Sequence, residues 1–481
     1  MIRATLSQIA AWCGAEPAGA VSAAEAGIAG VSTDSRSIAV GQLFVPLAGD
    51  RFDGHDYIDK AVQAGAAAAL WQRDHAVPAD IGLPLLLVDD TLAALQALAE
   101  GYLASWSPKV IGVTGSNGKT TTKDLISSVL GTAFKTVKTE GNYNNHIGMP
   151  LTILRADKDA EVLVLEMGMS DFGEIALLTR IAKPDIAVIT NIGESHLLQL
   201  GSRRGIAQAK LEIAQGLKDG GTLIINGDEP LLREELKASP LREGLRKLTF
   251  GESDACDLRA REIATDAERV AFSAVASAPG EHAGAVQAGT EVHFSVPIPG
   301  RHNAVNALAA IAVGRLLGLA DADIARGLAE AKLTGMRIER VRASNGALVL
   351  NDAYNASPAS VRAAIALVAQ LGGYRRKWLV LGDMLELGPD EADYHAGIGR
   401  ELAGGQADGL LAFGPLSAHT AREAAKAMPG ATVMHFTDKN ELVNTLLGLV
   451  EPDDLVLVKA SRGMRLEEVV RQLASGKEGG R

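Results

Sequence analysis

A chain of 481 residues is too long for one hydrophobic core, so two to four domains are expected. Its 47 Lys and Arg against 58 Asp and Glu leave a net charge of −11. That argues against a general nucleic-acid binder, which presents a basic face. Cys13 and Cys256 are the two cysteines. They give neither a disulfide framework nor a zinc spacing, and a reducing cytoplasm is the simplest expectation.

The first block covers residues 1–90. "MIRATLSQIAAWCGAEP" reads as a short amphipathic helix without the apolar core of a signal peptide. "GQLFVPLAG" is a strand candidate, "DYIDKAVQAGAAAALW" a helix leading into a strand, and "LPLLLVDD" closes the block. No run of about 18 apolar residues occurs, so no membrane span is expected.

The second block, 91–333, opens with the helix "TLAALQALAEGYLASW" and a joint at Ser107-Pro108. "KVIGVTG", "EVLVLEMGM", "DIAVITNIG" and "GTLIING" are continuous apolar runs, the pattern of strands buried on both faces of a parallel sheet. Residues 258–299 alternate and carry Gly and Pro, which predicts a β-rich side segment. The helix "HNAVNALAAIAVGRLLG" follows. The third block, 334–481, repeats the rhythm with "ALVLNDAY", "KWLVLGDM", "GLLAFG" and "LVLVKAS". It predicts a second open, Rossmann-like α/β sheet. "LGDMLELG" lacks the GxGxxG spacing, so no dinucleotide site is expected there. The fold class expected overall is α/β in three domains.

The most informative stretch is "VIGVTGSNGKTTTK", Val110 to Lys123. A strand that ends in a glycine turn and enters a helix aims free N–H groups and the helix dipole at an anion. Gly115, Ser116, Asn117 and Gly118 would form the cradle, with Thr121 following in the first helical turn. Lys119 would place a charge on the terminal phosphates, and Thr120 would offer its hydroxyl to Mg²⁺. Val113 stands where the common phosphate loop has its first glycine. The departure points to a subgroup of ATP enzymes rather than away from ATP.

Glu166 ends the run "EVLVL", where a carboxylate can hold Mg²⁺ or cap a helix. His196 follows "DIAVITNIGES" at another strand end. Lys210 in "GIAQAKLEI" reads by itself as a solvated helix lysine. Asn303 and Asp352 sit at element ends, and either could be a plain cap.

On these motifs the sequence resembles the Mur ligase family over nearly its whole length. "TGSNGKTTTK" is similar to the family's ATP loop, "EMGM" to its metal-binding glutamate stretch, and "SHLLQLGSRRGIAQAK" to its histidine-to-lysine segment. "GRHNAVNALAA" resembles the segment that sets an asparagine near adenine. "STDSRSIAVGQLFVPLAGDRFDGHDYI" is similar to the uridine-nucleotide domain of the third and fourth pathway members. "GNYNNHIGMPLTIL", "LNDAYNASPASVRAAI" and "LVLGDMLELG" resemble the members that add a dipeptide. Leu198, Gln199 and Leu200 depart from the acidic, glycine and aromatic residues expected there, so the local loop shape is expected to differ.

The resemblance implies a cytoplasmic, ATP- and Mg²⁺-dependent amide ligase that acts through an acyl phosphate. Its implied substrates are UDP-N-acetylmuramoyl-tripeptide and D-alanyl-D-alanine. It implies catalytic roles for Lys119, Glu166, His196 and Lys210, with Thr120, Glu166, His196 and Lys210 at the metal. Lys210 would then carry a carbamate. Asn303, Arg337 and Asp352 would serve the nucleotide, and Thr33 and Ser35 the uridine. Asn142, Asn144 and Asn145 would face the muramoyl peptide, and Ser461 and Arg462 are candidates near the dipeptide. Residues 1–90 would bind the UDP substrate, 91–333 ATP, and 334–481 the incoming dipeptide. A monomer is expected. The alternatives are a tripeptide-forming member and a folylpolyglutamate synthase-like ligase, which lacks the uridine domain.

Overall fold

The computed structural model describes residues 1–18, 27–49, 52–78, 81–277, 291–402 and 405–476. Three large sheets follow one another along the chain, each flanked by helices. The three-domain α/β expectation is borne out. Residues 278–290 of the predicted β-rich segment lie outside the described residues.

The first sheet orders its strands Glu16–Pro17, Leu85–Val88, Ala68–Gln72, Leu43–Phe44 and Val31–Ser32, parallel except for the first. The predicted strand "GQLFVPLAG" is shorter than expected. It pairs at Leu43–Phe44, then breaks before Pro46, which has no N–H for a ladder.

The second sheet has nine strands. Thr136–Lys138, Val162–Glu166, Lys109–Thr114, Ile186–Ile189, Thr222–Asn226, Arg246–Gly251 and Leu258–Thr265 run parallel. Val270–Ala276 and Glu291–Val296 extend it antiparallel. Lys109–Thr114 is central and flanked on both sides by parallel partners, which explains its unbroken run of apolar residues. Helices Lys119–Leu130 and Arg301–Leu316 pack together beneath it, around Ile126, Val129 and Ala310.

Helix Thr91–Ala104 joins the first sheet to the second. Asp90 caps it by accepting from the Ala93 amide. Leu95 and Leu98 lie in one core with Ile9 and Leu70 on one side and Leu154 and Ile181 on the other. Tyr102 donates its hydroxyl to the Ala156 carbonyl at 2.9 Å, which settles the polar end of a fully buried ring.

The third sheet runs Glu339–Arg342, Leu348–Asp352, Leu455–Lys459, Lys377–Gly382, Gly409–Phe413 and Thr432–Phe436, with only the first strand antiparallel.

One polar cluster lies in the first unit. Asp53, His55 and His75 offer ligand atoms within 4.8 Å of one another, a spacing that would suit a metal. The hydrogen bonding argues against one. The Gln72 amide donates to His55 Nε2 at 3.3 Å, so Nδ1 carries the proton and donates to Asp53 at 2.6 Å. The Nε2 lone pair that a metal would take is therefore already engaged by the Gln72 amide. The cluster is a proton-held clamp instead. His75 faces Asp53 through Nε2 at 2.8 Å and Asp74 through Nδ1 at 2.6 Å.

These carboxylates raise the His75 pKa above its usual value. Burial would raise Asp53, but the His55 amide and the two rings outweigh it and hold the carboxyl at about 2. The Asp53 contribution to stability is therefore present above about pH 4 and lost as pH falls toward its folded value. The His75 contribution is complete below about pH 6.5 and lost as pH rises through its raised folded value. The gap in melting temperature between the wild type and His75→Ala should be widest between those limits. A gap that widens steadily above pH 7 would refute the clamp.

Candidate active site

The site begins where strand Lys109–Thr114 ends. Gly115 has φ 145°, and a Cβ there would lie 1.9 Å from Thr190 Oγ1. Gly118 is left-handed at φ 78°, and its Cβ would lie 2.8 Å from Asn306 Oδ1. The turn therefore needs both glycines, for conformation and for space. Residues from the next strand end clasp it. The Asn117 amide donates to Asn191 Oδ1 at 2.9 Å, and Asn191 Nδ2 returns a bond to the Asn117 carbonyl at 3.0 Å. Thr190 Oγ1 also donates to that carbonyl, at 2.5 Å.

Lys119 opens helix Lys119–Leu130, and its ammonium folds back onto the loop. It donates to the Gly115 carbonyl at 2.7 Å and the Ser116 carbonyl at 3.2 Å. Burial lowers its pKa, Glu166 opposes that shift, and Arg337 adds to it. Ser116 Oγ is buried and has no hydrogen-bond partner among the described residues. A buried hydroxyl and a bent-back cation in such a loop are groups awaiting an anion.

Thr120 is the meeting point. Its hydroxyl donates to Glu166 Oε2 at 2.8 Å and accepts from Arg337 Nη2 at 2.8 Å. Glu166 ends strand Val162–Glu166, and its Oε1 accepts from Asn144 Nδ2 at 2.8 Å. Arg337 also stacks over the Tyr354 ring, 4.2 Å from its centre. Its neighbours Met336 and Ile338 have φ 60° and 54°. A left-handed β-branched residue is a true backbone outlier, so strain is stored where the second unit hands over to the third. Thr334 anchors that joint: its amide and hydroxyl both donate to Asp124 Oδ2 at 2.8 Å.

His196 is left-handed at φ 64°, and its Nδ1 lies 3.3 Å from Glu386 Oε2. Burial, then the charges of Lys119 and Lys210, push its pKa down to about 4. Lys210 lies on helix Arg203–Leu211 and is buried, contrary to the solvated reading of its sequence. Its ammonium makes no hydrogen bond or ion pair among the described residues, and burial drives its pKa well below the usual lysine value.

A cavity of about 550 Å³ is lined by Ser116 to Thr121, Asn144, Glu166, Asn303, Arg337 and Asp352. Asn303 Nδ2 donates to the Pro299 carbonyl at 2.7 Å, while Gly300 holds the helix cap. Asp352 accepts from Lys459 Nζ at 2.6 Å. His196 lines an adjoining cavity of about 220 Å³ with Ser461 and Arg462.

The other named residues lie apart. Asn145 Oδ1 accepts from the Ile147 and Gly148 amides, and Asn142 is exposed. Thr33 and Ser35 lie half-buried in the loop after strand Val31–Ser32, outside both cavities. Thr190, Asn191, Lys459 and Glu386 had not been singled out. The polar pair ending "DIAVITN" was the available signal for the first two.

A loop of this construction holds phosphates while charge moves on them, so fold and site define a phosphate-loop, nucleotide-dependent enzyme. Family models extend this along the chain. The Mur ligase middle domain matches residues 113–314, and the Mur ligase glutamate ligase domain matches 336–462. The Mur ligase family catalytic domain matches 27–103. The UDP-N-acetylmuramoyl-tripeptide–D-alanyl-D-alanine ligase of Bacillus subtilis is 48% identical, over 93% of each chain. The crystal structure of MurF from Acinetobacter baumannii superposes with TM-score 0.87 at 29% identity, covering 99% of this chain and 100% of that one. MurF ligase from Thermotoga maritima, solved in complex with ADP, gives TM-score 0.79 at 30% identity, covering 93% and 97%. The chain belongs to the Mur ligase family.

Gly115→Ala should weaken nucleotide binding about tenfold or more, because the new methyl collides with Thr190. Adding Thr190→Ala should recover part of that loss in a direct titration. No recovery would show that the collision is not the cause.

Proposed function

We propose that this chain joins D-alanyl-D-alanine to the peptide carboxylate of UDP-N-acetylmuramoyl-tripeptide, converting ATP to ADP and phosphate through an acyl phosphate. One observation carries the reading beyond the similarity of the relatives. Arg337, from outside the middle-domain match, bonds directly to Thr120 in the phosphate loop. The third unit is thus brought against the loop, as a ligase needs when it must keep water from an acyl phosphate.

The chain's own groups have defined tasks. Lys119 leaves its loop carbonyls for the transferring phosphoryl group, and the loop amides hold the adjacent phosphates. Thr120 and Glu166 would hold Mg²⁺: both offer hard oxygen atoms, and Glu166 is buried without an ion-pair partner among the described residues. When bound, the metal offsets the repulsion between the attacking carboxylate and the phosphate oxygens. Asn303, Arg337 and Asp352 complete the nucleotide side, and Asn144 orients Glu166.

Residues 1–90 take the uridine end near Thr33 and Ser35, 91–333 take ATP, and 334–481 present the dipeptide. Asn142 and Asn145 border the muramoyl-peptide path. The enzyme works in the cytoplasm as a monomer; among the described residues no helix is long and apolar enough to cross a membrane.

Lys210 needs its own account. A buried cation cannot assist a metal, whereas a buried neutral amine can add CO₂ and release a proton, becoming a carbamate anion. That anion would join His196 near the metal.

Lys119→Ala should abolish phosphate release while keeping the fold, as checked by circular dichroism. Near-normal turnover would remove the phosphate-site assignment. Lys210→Arg should be nearly as inactive as Lys210→Ala, because a guanidinium stays protonated. Short-chain carboxylic acids should restore some activity to the alanine variant, and an active arginine variant would exclude the carbamate. Mass spectrometry of products formed from UDP-tripeptide and D-alanyl-D-alanine tests the reaction itself. A better yield with free diaminopimelate or glutamate would favour another family member.

A further inference from the structure

We propose that Asp124 is a positioning residue for the reaction: it clamps the joint between the second and third units to the phosphate-loop helix, and so aims Arg337 at Thr120. This rests on the ligase reading above, in which the third unit must close on the bound nucleotide.

The joint is short and its ends are fixed. Leu333 packs on the core of the second unit, and Ile338 lies in a core of the third. Between them, Thr334 is tied back to the second unit through Asp124. Met336 is tied forward: its amide donates to Glu339 Oε2 at 2.9 Å, and its carbonyl accepts from the Tyr354 amide at 3.3 Å. Asn351 Nδ2 holds the same Glu339 oxygen at 2.9 Å. Gly335 alone separates the two anchors, so any swing of the third unit turns on it.

Asp124 and Thr120 are four residues apart in helix Lys119–Leu130, so they share one face, about 6 Å apart along the axis. Their partners Thr334 and Arg337 are three residues apart in the joint. The joint therefore runs back along the helix face and is gripped twice, first by the carboxylate and then by the hydroxyl. The first grip sets where the Arg337 side chain starts. The second is the contact that side chain makes.

Asp124 is built to hold. Its side chain is fully buried, as is that of Lys123. Oδ1 accepts from Lys138 Nζ at 2.7 Å and lies 3.2 Å from Lys123 Nζ, while Oδ2 takes both Thr334 donors. Burial would raise the carboxyl's pKa, but Lys123 and then Lys138 outweigh it and keep the pKa below its usual value. The clamp is thus an ionised acceptor, which bonds more strongly than a neutral one. Lys123 also donates to the Thr139 carbonyl at 2.7 Å, and Thr139 Oγ1 accepts from the Glu166 amide at 3.0 Å. One cluster holds the joint, the loop helix and the strand end that carries Glu166.

The test is a double-mutant cycle in ATP affinity, read by calorimetric titration of the full-length protein, with each variant's melting temperature as the check on folding. Asp124→Asn leaves Lys123 and Lys138 without their counter-charge and costs stability. Thr334→Val is therefore the main probe, since it removes one donor to Asp124 at a half-buried position. It should weaken ATP binding about fivefold when Arg337 is intact. In an Arg337→Met background the loss should be less than about twofold, because a residue that acts through Arg337 has nothing left to aim. A folded Asp124→Asn should show the same dependence on Arg337. Equal losses from Thr334→Val in both backgrounds, or no loss in either, would overturn the assignment alone. Failure of the wild type to bind ATP would overturn the ligase reading, and the assignment with it.

Discussion

The Thr120 hydroxyl is the smallest group on which the site depends. It stands one residue after the lysine of the loop, gives its proton to Glu166, and takes one from Arg337. Those three residues come from a helix N-terminus, a buried strand end and the start of the third unit. A single hydroxyl thus fixes the loop, the carboxylate and the closure of the third unit against them. The glycines at 115 and 118 let the chain turn tightly enough for Thr120 to face Glu166. The strained pair Met336 and Ile338 lets Arg337 reach back.

Charge organises what surrounds this point. Lys119 feels the charges of Glu166 and Arg337, and its own positive charge reaches Lys210 and His196. Burial first, and this positive charge after it, lower both lysine pKa values and bring that of His196 down to about 4. An anion entering the loop relieves it. The orphaned Ser116 hydroxyl points to the same need. Such a site is less stable than an apolar core would be, and the surrounding packing of Val113, Ile126 and Ala307 offsets the cost.

Much of this was legible in the sequence because it is local. The apolar runs around Val110, Val164 and Val188 announced buried parallel strands, and strand–GSNGKT–helix announced the phosphate loop. What escaped depends on which strands become neighbours. Asn191 clasps Asn117 across 74 positions, and Arg337 meets Thr120 across 217. No periodicity encodes either pairing. Lys210 read as solvated because its helix carries Arg203, Arg204 and Gln208. Yet Ile206, Ala207 and Ala209 turn the same helix inward and take the lysine with them. The His55–His75 clamp was equally hidden, since the first sheet has to form before residues 20 positions apart can stack at 4.0 Å.

The central claim is that the phosphate loop and the third unit make one nucleotide site. The most direct measurement is a nucleotide titration of Arg337→Met, which keeps a long side chain over Tyr354 but removes the charge and the bond to Thr120. Affinity for ATP should fall about tenfold or more, as expected when a charge-assisted contact is lost. Unchanged affinity would contradict the claim and return the whole site to the middle unit.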